Sequence, residues 1–201
     1  WFYYNIGNNP GLLAPYQFGK DDPIQELINK LRDDGSKESY ELAKKLYPKM
    51  RCYAPVVVRG EEDKGVRLWG FGKTAYKELL NLVLNPEYGD ITDTETGTDL
   101  VLHYGKPQGA SFPQTKLTPR RRSSLLCDEA VGGDDRCAEL LENIPEFDTL
   151  FERKTPEEVE KLLEEFISGG VDAEGNSTET VQYSNNKTDS VDNAFNELMN
   201  A

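Results

Sequence analysis

Residues that catalyse reactions or bind metal ions are scarce in this 201-residue sequence. It contains a single histidine, His103, and three cysteines, Cys52, Cys127 and Cys137, with no CxxC pair. A tetrahedral zinc site and histidine-dependent nucleophilic catalysis are therefore disfavoured, and the odd, sparse cysteines favour a reducing compartment. No apolar run approaches the ~20 residues of a membrane span. We expect a protein without enzymatic activity.

Charge is distributed unevenly along the chain. Residues 1–127 contain 18 Lys and Arg and 16 Asp and Glu, whereas residues 128–201 contain 5 and 20. A body that is nearly neutral and locally basic therefore precedes a strongly acidic end. This asymmetry is typical of a nucleic-acid-binding body with an acidic tail. A solvated acidic helix and a disordered terminus that keep the protein soluble would produce it as well.

Apolar residues at helical spacing predict several helices. Asp22 and Pro23 supply an N-cap and a proline at position N1 for a first helix, and a second, more basic helix follows at residues 39–46. A third helix is predicted over residues 73–84. A capping-box pattern begins a last helix over residues 155–167.

Strand patterns lie between these helices. Residues 52–60 predict a buried strand, and residues 66–71 predict its hairpin partner across a short acidic turn. Residues 99–104 predict another strand by alternation. We expect the Pro-rich stretch at residues 105–122 to be irregular. Together with the helices, these strands predict an α+β fold.

Aromatic and cationic residues interleave through the neutral body, and single-strand binders need both. Cations neutralise phosphates and aromatic rings stack on bases. In the strand at residues 66–71, alternation places Arg67, Trp69 and Phe71 on one face. That face is a stacking platform if it is open and part of the core if it is covered. The candidate DNA-binding residues are Trp1, Tyr3, Lys44, Lys45, Lys49, Arg51, Tyr53, Arg67, Trp69, Phe71, Lys73 and Phe112.

The run RCYAPVVVRGEEDKGVRLWGFGKTAYKELLNLV at residues 51–83 resembles the central segment of T4-type phage single-stranded-DNA-binding proteins, also called helix-destabilising proteins. In that family a valine-rich strand and an acidic turn lead to a strand ending in aromatic-x-Phe-Gly-Lys, which is similar to Trp69–Lys73 here. The upstream FGKDDPIQELINKL is similar to a helix of the marine and cyanophage branch, and DLVLHYGK to a later core strand. The resemblance covers roughly residues 1–168.

The resemblance implies an OB-fold-type mixed β-barrel core with peripheral helices. It also implies that the chain coats single-stranded DNA without sequence preference during phage DNA replication, recombination and repair, in the host cell cytoplasm. Trp69 would occupy the place of a DNA-cleft aromatic, with Arg67 and Lys73 beside it and Phe112 after the later strand. The family's basic segment would correspond to Lys44, Lys45, Lys49 and Arg51, with Tyr53 nearby. Self-association along DNA is a further implication.

Two departures from the family pattern matter. The T4 protein carries a zinc site made of His and Cys, and the matching stretch at residues 7–31 has neither residue type. We therefore predict no zinc and no other cofactor, with helix packing holding this subdomain. The family's N-terminal arm and early strands would precede Trp1. Because the sequence starts within an aromatic run and without Met, we expect that they are missing and that the barrel is incomplete.

These inferences divide the chain into three parts. Residues 1–127 form the OB-type core with a helical subdomain at about 19–47, residues 128–168 form a helical part packed on the core, and residues 169–201 form a flexible acidic tail. The tail would bind phage replication and recombination proteins and compete with DNA for the basic cleft. Its apolar tip contains Phe195, Leu198 and Met199.

Two alternatives remain at this point. The first is an acidic protein-interaction or DNA-mimic module, which would not need the basic and aromatic clustering at residues 40–77. The second is a metal-dependent nuclease, and the carboxylates that could be interpreted as a divalent-metal cluster are Asp90, Asp93, Glu95 and Asp99. These carboxylates lack the spacing of a calcium loop and lie in a Thr- and Gly-rich stretch, which makes the second alternative the weaker one.

Overall fold

The structure is a computed structural model that describes residues 1–7 and 9–168. The described chain divides into two compact units, one made of Trp1–Lys49 with residues 151–168 and the other of Met50–Leu150. Each unit combines α-helices with short antiparallel sheets, so the predicted α+β class is confirmed. Within residues 1–7 and 9–168, no helix has both the length and the apolar character that crossing a bilayer requires.

The first unit is a helical layer with a minimal sheet. Strand β1 (Phe2–Tyr3) pairs antiparallel with β2 (Leu12–Leu13), and helices α1 (Pro23–Asp34), α2 (Lys37–Leu46) and α5 (Pro156–Ile167) complete the unit. Helix α1 contacts both α2 and α5. Their apolar faces bury a continuous core, made of Tyr3, Ile6, Leu12, Ala14, Ile24, Leu27, Ile28, Leu31, Leu42, Ala43, Leu46, Val159 and Leu163.

The helix starts in this unit follow from capping side chains. The Asp22 carboxylate accepts the backbone N–H of Gln25 at 3.1 Å, and Thr155 and Glu158 form the reciprocal bonds of a capping box. Both predicted starts are confirmed. Helix α2 begins two residues earlier than predicted because Ser36, rather than a later residue, caps it.

The second unit contains two β-hairpins and a connecting helix. Strands β3 (Arg51–Val56) and β4 (Arg67–Gly72) form the first hairpin, and helix α3 (Lys73–Val83) follows β4 without a loop. Strands β5 (Leu100–Gly105) and β6 (Gln114–Pro119) form the second hairpin. Helix α3 contacts β3, β4 and β6, so it lies between the two hairpins.

Strand β6 was not predicted, and helix α4 (Gly133–Glu142) falls within the predicted helical part at residues 128–168, for which only the last helix was given bounds. The expectation of irregular structure from residue 105 to 122 is therefore wrong over Gln114–Pro119. The strand forms because each of its six residues pairs with β5, for example Leu117 with Leu102. The segment has only six residues and ends in a proline, so the alternation of its side chains is a weak local signal. A strand that is stabilised by pairing with a neighbour cannot be recognised from such a signal.

The sheets are small, and each has two strands. Within the described residues none of them closes into a barrel. The spatial grouping also joins α5 to the N-terminal helices of the first unit, whereas the sequence-based division separated residues 1–127 from residues 128–168. The predicted tail at residues 169–201 lies outside the described residues.

Candidate nucleic-acid interface

One face of the β3–β4 hairpin carries the predicted aromatic and cationic residues. Directly opposed residues of an antiparallel pair share a face, and the register pairs Cys52 with Phe71, Ala54 with Trp69 and Val56 with Arg67. Arg67, Trp69 and Phe71 therefore lie on one side, as alternation predicted. We call this side the Trp69 face.

The two aromatic rings of the Trp69 face differ in their access to solvent. The rings of Trp69 and Phe71 stack with their centroids 4.3 Å apart and an angle of 29° between their planes. Phe71 is only 5% exposed, whereas Trp69 is half-buried. Phe71 therefore serves as a support, and Trp69 presents the part of the aromatic surface that a base could reach.

Arg67 is already engaged by a carboxylate in the turn before it. Its guanidinium lies 2.6 Å from the Glu61 carboxylate, which also pairs with Lys64 at 2.8 Å. Hydrogen bonds from Lys64 and Arg67 hold the pKa of Glu61 below its ordinary value. Arg67 can therefore contact a phosphate only by exchanging or sharing this partner. Lys73 lies at the first position of α3 and is exposed.

Tyr53 lies on the opposite face of the same hairpin. The register pairs it with Gly70, and a Cβ atom added to Gly70 would lie 2.9 Å from the Tyr53 ring. The ring therefore packs across the glycine, and a side chain at this position would have to displace the ring. Arg51 pairs with Gly72 and shares the Tyr53 face. The structure thus divides the predicted cleft residues of the hairpin between two faces.

Tyr3 and Trp1, both candidates in the first unit, lie in different environments. Tyr3 is fully buried, and its hydroxyl donates to the Asp22 carboxylate at 3.0 Å. Burial is the largest cause that raises the pKa of Tyr3, and the charge of Asp22 and this hydrogen bond raise it further. No face of the Tyr3 ring is open to a base in this structure, so Tyr3 is a core residue. Trp1 is 43% exposed.

The cationic candidates of the first unit lie at and after the end of α2. Lys44 and Lys45 occupy its last turn and are exposed. The Lys49 ammonium lies 5.8 Å from the centroid of the Tyr4 ring, a cation–π distance. These residues belong to a different compact unit from Trp69.

The β5–β6 hairpin displays the most exposed aromatic rings of this part of the chain. Tyr104 is 72% exposed and Phe112, in the loop between the strands, is 78% exposed. At this exposure both rings are open to a base that stacks on them. Phe112 was a candidate from the sequence, whereas Tyr104 was missed. The sequence signal that could have identified Tyr104 was its position at the end of the strand predicted over residues 99–104, shortly before Phe112.

The charged residues in the sequence around this hairpin are all cationic. Residues 100–127 contain five cations and no carboxylate. None of the five forms an ion pair within the described part of the chain. On the β5–β6 ladder His103 is paired with Lys116, and both are exposed. We call residues 100–127 the basic segment; its cations are Lys106, Lys116, Arg120, Arg121 and Arg122.

Arg59 anchors the end of the basic segment. Its guanidinium binds the Asp99 carboxylate at 3.0–3.2 Å and donates to the carbonyls of Leu125 and Leu126, each at 2.6 Å. Burial raises the pKa of Asp99, but the interactions with Arg59, with the Ser124 side chain and with the charge of Arg120 outweigh it, and the net pKa is lowered. Arg59 therefore has a structural task and is not available to a ligand.

The acidic loop before β5 uses its carboxylates internally. Asp90 accepts hydrogen bonds from Thr92, and Asp93 accepts them from Glu95 and Thr96. Throughout residues 1–7 and 9–168, no cluster of three His, Cys, Asp or Glu side chains is placed to hold a metal ion.

The tail residues Phe195, Leu198 and Met199 lie outside the described residues. Comparisons of this chain with models of protein families, with curated proteins and with solved structures found no match.

Proposed function

We propose that this chain is a non-enzymatic protein that binds single-stranded DNA with little sequence preference. The observation that carries the proposal is the basic segment, which has five cations, no carboxylate and two rings exposed by more than 70%. Cations without carboxylate partners neutralise phosphates, and exposed rings stack on bases of any identity. The Trp69 face would supply a further ring within the same unit.

The finer features of the family remain part of the same proposal. The β3–β4 and β5–β6 hairpins would be portions of an OB-type barrel, whose completion requires further strand pairing. Coating of DNA during phage replication, recombination and repair, self-association along the strand, and recruitment of replication proteins by the acidic tail follow from the resemblance. No resident metal or cofactor takes part in this proposal.

Direct titration with a labelled oligo-dT tests the binding. We expect affinity to fall as salt concentration rises, with a log–log slope of about −0.7 per neutralised phosphate. Replacing Lys116 with Gln should make that slope shallower by about 0.7. Lys161→Gln, which removes an exposed cation from α5 in the acidic part of the chain, should leave the slope unchanged.

Ring removal tests the stacking. Tyr104→Ala and Phe112→Ala should each weaken binding by about 1–3 kcal/mol, or roughly 5- to 150-fold in Kd. Phe147→Ala is a matched control because Phe147 is also exposed, at 47%, but lies among carboxylates. Equal affinity of the wild-type chain and both hairpin variants would contradict the assignment of the hairpin as the binding surface.

Tryptophan fluorescence tests the contribution of the Trp69 face. The chain contains two tryptophans, so a Trp1→Phe variant leaves Trp69 as the sole reporter. We expect salt-sensitive quenching when oligo-dT is added, because a base that stacks on the indole changes its environment. Binding without quenching would restrict the interface to the basic segment.

The acidic protein-interaction module is the second candidate, and one feature favours it. Residues 128–168 carry 14 carboxylates and 4 cations, which is the charge of a surface that binds a basic partner. Failure of oligo-dT to bind at low salt would favour this candidate, whereas binding that depends on Tyr104 and Lys116 would favour the DNA-binding proposal.

A further inference from the structure

Three consecutive arginines line a cleft in the second unit, beyond the end of β6. The cleft has a volume of about 270 Å³, near the lower limit of the ~300–1,000 Å³ typical of small-molecule sites. Its volume suits a single nucleotide rather than a longer ligand. The lining residues are Glu87, Tyr88, Thr96, Thr98, Pro119, Arg120, Arg121, Arg122 and Ser123.

The backbone that carries the arginines is fixed to the neighbouring loop. The N–H of Arg120 donates to the Asp99 carbonyl at 2.8 Å, and the N–H of Ser124 donates to the Gly97 carbonyl at 3.0 Å. A third bond of 2.7 Å joins the Leu126 N–H to the Thr94 carbonyl. The backbone of the arginine-bearing segment is therefore held along the opposite wall, and binding would have to order only its side chains.

The opposite wall is itself tightly built. The Asp93 carboxylate accepts hydrogen bonds from both the backbone and the hydroxyl of Thr96, at 2.7 and 2.9 Å. A Cβ atom at Gly97 would lie 2.2 Å from the Asp93 carbonyl oxygen, so the backbone passes too close there for any other residue.

The cleft has an excess of positive charge that its own carboxylates do not compensate. Glu87 is the one carboxylate among its lining residues, and it is exposed. None of the three arginines forms an ion pair within the described residues. Guanidinium groups bind phosphate oxygens in a bidentate manner, and the half-buried ring of Tyr88 lies on the same cleft.

We infer that this cleft binds the phosphate monoester of a nucleotide, either at a phosphorylated end of a single strand or in a free nucleoside monophosphate. A monoester carries between one and two negative charges near neutral pH, more than the single charge of each internal phosphodiester, so three arginines favour the end. Thr98 and Ser123 add hydroxyl donors, and Tyr88 offers a ring for the base. For the strand end, the inference rests on the proposed binding of single-stranded DNA; for the free nucleotide it does not.

Two titrations of the full chain test this inference. The first compares labelled oligo-dT with a 5′-phosphate, a 5′-hydroxyl and a 3′-phosphate. The second measures binding of thymidine 5′-monophosphate by calorimetry, with thymidine and inorganic phosphate as the other probes. The test variant is Arg121→Gln/Arg122→Gln, and Lys37→Gln/Lys161→Gln is the control that loses the same charge from helices of the first unit.

The expected result is a roughly tenfold tighter binding of the 5′-phosphorylated oligonucleotide than of the 5′-hydroxyl form. This preference should vanish in the double arginine variant and persist in the control. Thymidine 5′-monophosphate should bind the wild-type chain and the control more tightly than either thymidine or inorganic phosphate does. The arginine variant should keep the circular-dichroism spectrum of the wild type, since it breaks no ion pair of the described structure.

The other outcomes separate this inference from the proposed function. Equal binding of the three oligonucleotides, with no binding of the monophosphate, would overturn the inference and leave the DNA-binding proposal intact. A phosphate preference that survives in the arginine variant would overturn the assignment to this cleft. Inorganic phosphate binding as tightly as the monophosphate would overturn the nucleotide class. Arginine-dependent binding of the monophosphate without binding of any oligonucleotide would support the inference for the free nucleotide and contradict the proposed function.

Discussion

Replacing Arg59 with Gln should destabilise the second unit because Arg59 joins three separate segments. Its guanidinium connects the end of the β3 region to the Asp99 carboxylate and to the carbonyls of Leu125 and Leu126. Gln can restore at most part of this set. The substitution leaves a partly buried carboxylate without its ion partner and two carbonyl groups without their donors.

The size of the effect follows from these contacts. A hydrogen bond to a charged group contributes about 1.5–3 kcal/mol, and breaking a fully buried pair costs about 3–5 kcal/mol. The side chains of Arg59 and Asp99 are 35% and 24% exposed, so solvent screens the pair and the lower range applies. We expect the free energy of unfolding to fall by about 2–3 kcal/mol.

Urea unfolding monitored by Trp69 fluorescence, in the Trp1→Phe background, measures this loss in the unit that contains Arg59. With a typical m-value of ~2 kcal/mol/M, the midpoint should fall by about 1–1.5 M. A double-mutant cycle with Asp99→Asn should give a coupling energy within the ~0.5–3 kcal/mol found for residues in contact.

Arg67→Gln is the matched control, since Arg67 also forms a short ion pair, with Glu61, but Glu61 is more exposed than Asp99 (39% against 24%) and, within the described residues, no carbonyl bonds accompany this pair. Exposed pairs contribute little to stability, so this variant should lose much less than Arg59→Gln. Equal losses in the two variants, or a coupling energy of zero between Arg59 and Asp99, would refute the argument that burial and the two carbonyl bonds make Arg59 a structural anchor.

Two further predictions concern the same unit. Because the pKa of Asp99 is lowered in the folded state, its charge stabilises the fold above the unfolded pKa of about 4. This contribution is lost as pH falls through the lower folded pKa. The free energy of unfolding, measured as a function of pH in acid, should show this loss in the wild type and not in Asp99→Asn. Gly97→Ala should cost at least about 1–3 kcal/mol in urea unfolding because its Cβ would collide with the Asp93 carbonyl oxygen, whereas Gly105→Ala, where nothing lies within 4 Å of the added atom, should unfold near the wild-type midpoint.

The sequence was sufficient for features that neighbouring residues determine. The Asp22 N-cap and the Thr155 capping box are local arrangements of a few residues, and both helices begin where these side chains predict. The face shared by Arg67, Trp69 and Phe71 follows from strand alternation and is present in the structure. Interactions between neighbouring residues are therefore sufficient to predict these elements without knowledge of tertiary contacts.

Features that depend on contacts with distant segments cannot be predicted from local sequence patterns. Strand β6 exists through its pairing with β5, and its own residues are only weakly strand-forming. Tyr53 and Trp69 are both plausible stacking residues by type, yet the register of the hairpin places them on opposite faces. The aromatic run at the start of the sequence makes Tyr3 a candidate for stacking on DNA, whereas its hydroxyl contacts a buried carboxylate 19 residues away.

Pairing of charges, rather than their number, locates the proposed binding surface. The body of the chain has only two more cations than carboxylates, which would not distinguish one face from another. Around the β3–β4 hairpin, Arg59, Lys64 and Arg67 are each bound to a carboxylate, and the field of each pair falls off quickly in salt. The basic segment contains no carboxylate that could pair with its cations in this way. The cations of β5–β6 and the arginine cleft are therefore the ones with no carboxylate within their own segment, which makes this part of the second unit the expected site of phosphate contacts.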